Sequence, residues 1–213
     1  MAARLDSAAS PRQYRPGDYW FFAGPASSFP NITNSSEPYF KLVWPQPCKA
    51  AGSDGTTTAA AAAAKVPGCK VFHPKATQPP GTAAAAAAEQ IATDAAAGED
   101  AWLMKEQVLV FQYKGRFHAV DHACPHRAYS LSWGVPFDIE DAGGRTLGHG
   151  IRCRGHSFAF ELTTGAGDRG GYQLGVWEVE LRPAAGIVAS GDGGGGDDSD
   201  EREVWVRRKQ RPG

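Results

Sequence analysis

Apolar positions along the chain come in short runs with a period near two, and most runs stop at Gly, Pro or Asp. That period puts alternate side chains on one face of an extended backbone, so the pattern predicts strands rather than amphipathic helices. Residues 18–24 and 39–44 read as two early strands, the second stopped by Pro45 and Pro47. Residues 69–73 form a short strand-like patch between Gly68 and Pro74. Residues 108–113 and 117–120 flank Lys114-Gly115-Arg116, the signature of a hairpin. Residues 133–136 read as a turn and 137–150 as an acidic, then Gly-rich loop. Strands return at 158–162, 174–181 and 203–207. Between the first two lies the polar turn Asp168-Arg169-Gly170-Gly171, whose charges read as an internal ion pair. Such a succession predicts an all-β domain, a small antiparallel sandwich or barrel.

Residues 46–100 break the pattern. Two Ala runs, 59–64 and 83–88, sit among Gly, Thr, Ser and Pro. Ala has the highest helix propensity, so 83–92 is a candidate short helix, yet an all-Ala run has no apolar stripe to bury. Most of this stretch reads as a disordered Ala-rich insertion around the 69–73 patch. Residues 183–201, rich in Gly and Asp, read as a flexible loop. The expected organisation is one domain over 14–209 carrying both insertions.

Charge narrows the function. With 22 basic and 23 acidic residues the chain has a formal net charge of −1, which offers no attraction for nucleic acid or an anionic membrane. No apolar run is long enough to span a bilayer, and residues 1–16 lack the apolar stretch of a secretory signal, so a cytoplasmic setting is expected. The Asn-x-Ser/Thr patterns at Asn31 and Asn34 then read as polar loop residues.

Chemistry concentrates in Cys124-Pro125-His126 and Cys153-Arg154-Gly155-His156. Each cluster offers one thiolate and one imidazole. A tetrahedral zinc ion accepts such mixed ligands. The distribution also suits a two-iron, two-sulfide centre with both Cys on one iron and both His on the other. His149 lies close in sequence and reads as an exposed loop residue between Gly148 and Gly150. Cys48 and Cys69 read as two reduced thiols.

These clusters and their surroundings resemble a Rieske-type [2Fe-2S] domain. Residues 120–123 and 131–134 flank the first cluster, and Ile151-Arg152 and residues 158–165 flank the second, as in the frames that carry the ligand loops of that family. The resemblance covers roughly residues 101–182. It implies one [2Fe-2S] cluster held by Cys124, His126, Cys153 and His156, with no catalytic residue of the chain's own. The respiratory branch braces its loops with an additional disulfide. Here Ala128-Tyr129 and Arg154-Gly155 occupy those places, so the chain resembles the ferredoxin and oxygenase branch, with a potential in the lower half of about −150 to +300 mV. The other histidines (His73, His118, His122, His149) form no helical iron-binding pattern, so oxygen activation is not expected. The implied function is a one-electron carrier, a component of an oxidoreductase system that docks a reductase or oxygenase. Arg127, Tyr129, Trp133, Arg154, Ser157 and Phe158 are candidates for the docking rim. The alternatives are a structural zinc module and a cluster-less interaction domain.

Overall fold

The computed structural model describes residues 15–33, 68–74, 88–91, 106–184 and 201–209. The strand expected at 39–44, Cys48, Asn34 and most of both insertions lie outside them. Eleven strands follow in order: β1 (Phe21–Pro25), β2 (Asn31–Ile32), β3 (Cys69–Pro74), β4 (Ala88–Ile91), β5 (Val108–Tyr113), β6 (Arg116–Asp121), β7 (Val135–Glu140), β8 (Thr146–Arg152), β9 (Ala159–Glu161), β10 (Trp177–Pro183) and β11 (Arg202–Arg208). They make three sheets: β1-β11-β10, then β2, β5, β3 and β4 with β6 on β5, then β7-β8-β9. The pairing is antiparallel except where the two residues of β2 run parallel to β5. The all-β expectation is met.

β5 is the centre. Its Leu109, Phe111 and Tyr113 point into one core, while Val108 and Val110 point into another. This is the two-residue period of a strand buried on both faces. The first core also holds Ile151 of β8, Phe160 of β9 and both motif cysteines, Cys124 and Cys153. The second joins β5 to the terminal sheet through Phe21, Trp177, Val204 and Val206. Each such side chain, fully buried, contributes on the order of 2 kcal/mol. The β5–β6 hairpin closes at Lys114 (φ 47°) and Gly115 (φ 79°), the two left-handed residues that a tight primed turn requires. The Asn31 side chain accepts the Gly115 amide at 2.8 Å, which gives that residue a structural partner.

Three expectations are corrected. Residues 137–150 are not a loop but most of the β7–β8 hairpin, and Val135 and Pro136 belong to β7 rather than to a turn. Glycine is what hid the strand. A Cβ on Gly150 would strike the Phe137 ring directly across the pair, so Gly here marks close packing rather than slack. The turn is short: Asp141 Oδ1 accepts the amides of Gly143 and Arg145 at 2.9 Å. The candidate helix at 83–92 is a strand where it is described, because β4 takes up the free edge of β3. Last, the strand expected from residue 174 begins at Trp177. Leu174–Val176 instead bind other segments, Leu174 donating to the Gly165 carbonyl and Gly175 accepting the Asp121 amide, each at 2.8 Å.

Candidate metal centre

Two loops carry the motif. The first leaves β6 and the second joins β8 to β9, and both have the same backbone form. The amide of Ala128 donates to the Cys124 carbonyl at 2.8 Å, and that of Ser157 to the Cys153 carbonyl at 2.9 Å. The Cys124 and Cys153 amides in turn donate to the carbonyls of Tyr129 and Phe158. The fourth residue after each Cys is left-handed, Ala128 at φ 50° and Ser157 at φ 57°. Non-Gly residues adopt that conformation only at some cost, so the surrounding bonds hold both turns in place. Within each loop two backbone amides reach the sulfur: those of His126 and Arg127 for Cys124, and those of Gly155 and His156 for Cys153. The imidazole comes from the second position after Cys in one loop and the third in the other.

The loops meet face to face. Both thiols are buried and share a hydrogen bond. That bond eases loss of the proton from Cys153 and, with burial, holds Cys124 protonated. As a pair they give up one proton readily and resist losing the second without a neutralising cation. The His126 and His156 rings stand edge to face, centroids 4.8 Å apart. His126 Nδ1 is buried with no hydrogen-bond partner, while its ring packs on Phe158 (4.3 Å) and Tyr172 (5.2 Å). Burial, then the neighbouring His156, Arg127 and Arg169, lowers the His126 pKa and favours the neutral ring that metal binding needs. Gly155 permits the approach of the loops: a Cβ there would come within 2.8 Å of the Tyr129 ring.

This donor set fits a two-iron centre. Among the described residues no group of three or more Cys, His, Asp and Glu side chains is placed to hold a metal ion. The motif side chains pair by type instead, thiol with thiol and imidazole with imidazole, which is the division a Rieske-type cluster uses. The orphaned His126 Nδ1 is a nitrogen that could serve as a donor.

Beneath the first loop lies a polar cluster that the motif did not reveal. His122 is fully buried; Gln107 Oε1 accepts from its Nδ1 at 2.8 Å, and Ser130 and Ser132 approach its Nε2 at 2.6 and 3.0 Å. The Leu131 amide donates to the His122 carbonyl at 2.8 Å. These bonds tie both ends of the first loop together. A signal did exist: His122 is two residues before Cys124, which in extended backbone puts both on one face.

The remaining expectations sort as follows. His149 is not exposed: it is 9% accessible, lies on β8 and shares a 3.2 Å hydrogen bond with His118. His73 meets Glu106 at 3.2 Å. Cys69 is a free buried thiol whose pKa burial pushes up to about 12. Asp168 and Arg169 do not bind each other; the Asp168 carboxylate accepts the Ala159 amide at 3.2 Å, and Arg169 donates to the His156 carbonyl at 2.9 Å while stacking on Phe158. Of the rim candidates, Arg127, Tyr129, Arg154 and Ser157 are exposed, whereas Trp133 and Phe158 are half-buried.

Residues 83–173 match the model of the Rieske [2Fe-2S] domain. Over these residues the chain is similar to a Rieske-type domain. A human Rieske domain-containing protein is 39% identical over 61 residues, 29% of this chain and 35% of that protein, so the chain spans about a third of this relative's length. Among solved structures, a chain described as an NADH-dependent nitrite reductase small subunit from Mycobacterium tuberculosis aligns over 49% of this chain and 75% of its own, with 20% identity and a TM-score of 0.35. The matched segment of the Rieske domain takes in both motif loops and ends at Gln173, just before β10.

Proposed function

We propose that this chain is a soluble one-electron carrier of the cytoplasm, with residues 14–209 as its single domain and one [2Fe-2S] cluster held by Cys124, Cys153, His126 and His156. When bound, the cluster supplies a site that gains and loses a single electron. The observation that carries this reading is the unpartnered buried His126 Nδ1 next to the His156 ring, above a pair of facing buried thiols. The chain's own residues do the rest. Backbone amides directed at each sulfur stabilise thiolate charge, and such bonds raise the potential of a cluster. Leu131, Ile151 and Phe160 exclude water from the thiol side. His156 lies at the exposed edge, which supports electron exchange there with a reductase or oxygenase partner.

The test is absorption and EPR spectroscopy on purified protein before and after dithionite reduction, with iron, sulfide and zinc counted. The expected result is two irons and two sulfides per chain, with a reduced-state signal of low average g that is lost in His126→Ala and His156→Ala. A colourless protein with one zinc would overturn the proposal in favour of a structural module.

A further inference from the structure

The two ligand loops, 124–129 and 153–158, contain two arginines, Arg127 and Arg154, and no acidic residue. Both are exposed. A third guanidinium, Arg169, is anchored to the rim by its bond to the His156 carbonyl. The only nearby acid on that third turn, Asp168, is turned toward the Ala159 amide. Among the described residues the tip therefore has more basic than acidic side chains, on a chain whose formal net charge is −1. Tyr129, 38% accessible, adds an aromatic surface between the arginines' loops, packed over Gly155. Arg and Tyr are the residue types that dominate binding energy at protein interfaces.

We propose that this arginine rim docks an acidic protein surface that surrounds the partner's own one-electron centre. The proposal rests on the cluster reading given above and specifies the partner's chemistry. Charge at the point of contact steers encounter, speeding association and fixing the orientation that brings two redox centres close. In the exchange one electron leaves the partner's reduced centre and enters the oxidised centre here; no group is transferred.

The experiment is stopped-flow kinetics on the holoprotein with three probes. A reduced plant-type ferredoxin, an acidic protein of lower potential, donates one electron to the oxidised form. Ferricyanide, an anion, and tris(phenanthroline)cobalt(III), a cation, each take one electron from the reduced form. Raising ionic strength from about 0.01 to about 0.5 M should slow the ferredoxin and ferricyanide reactions by roughly ten-fold or more, since salt screens attraction. The cobalt reaction should instead quicken. In Arg154→Glu the ferredoxin and ferricyanide rates at low salt should fall and their salt dependence should flatten or reverse, with the EPR signal unchanged. A change in sign of the salt slope is something a merely structural role for this arginine would not produce. An intact EPR signal with rates that are flat or rise with salt for both anionic probes overturns the rim alone. Absence of the Rieske signal overturns the rim and the carrier reading together.

Discussion

At the scale of single residues, His122 shows how a buried polar group can serve the site without touching it. Burial lowers its pKa from 6.5 to about 4, so the ring stays neutral and accepts a hydroxyl proton from the Ser130–Ser132 pair. The sign of its effect on stability follows. Between pH 6.5 and about 4 the unfolded chain binds a proton that the folded chain does not. Its contribution is therefore complete above pH 6.5 and is lost as the pH falls toward 4, a change of about 3 kcal/mol at most. Urea unfolding at a series of pH values should show this acid loss, and His122→Gln should show a shallower one. Equal slopes in the two proteins would rule His122 out as the group responsible.

Among the elements, the β7–β8 hairpin is held to the β5–β6 hairpin by a polar seam. His118 of β6 bonds His149 of β8, and Lys114 at the β5–β6 turn pairs with Asp138 of β7. His149 Nε2 lies 4.0 Å from Asp138, and its ring stands edge-on to Tyr113 at 5.0 Å. Burial, with His149 and Arg116 adding to it, lowers the His118 pKa to about 4, so the seam is one of neutral rings at pH 7. Its role is to fix the sheet that carries the second ligand loop. His149→Ala should accordingly keep two irons per chain and an unaltered EPR signal. It should cost about 1–3 kcal/mol of stability, the usual penalty for leaving a buried polar partner unsatisfied. Loss of iron in that variant would make His149 a ligand.

For the molecule as a whole, the consequence is that the site is part of a core. Cys124 and Cys153 are 2% and 0% accessible and pack in the same cluster as Leu109, Phe111 and Ile151. A chelator reaches the thiol side only when the loops open. Bleaching of the visible absorbance by excess EDTA should therefore proceed at a rate independent of chelator concentration, and sub-denaturing urea should accelerate it by exposing buried surface. A rate proportional to EDTA would mean direct access from solvent. Metal-free protein should also unfold at lower urea, because ligand binding to the folded form alone adds to its stability.

What the sequence by itself determined is whatever repeats locally. The two-residue period marked β3, β5, β6, β9 and β11, and Lys114-Gly115 marked the turn, because a half-buried strand must alternate and a primed turn must have positive φ. The two Cys-His clusters were equally plain, since each lies within a few residues. Tertiary structure alone decided the features that depend on a distant partner. Gly150 read as slack until Phe137 lies across from it, and His149 read as exposed until His118 and Tyr113 enclose it. An Ala run favours helix in isolation, yet its last residue, Ala88, begins a strand beside β3, since an open sheet edge offers hydrogen bonds that local propensity does not count. The meeting of the two loops belongs here too: the facing thiols and the paired rings arise from separate sheets that share one core. Spacing along the chain names the donors, and only packing sets which of them face each other.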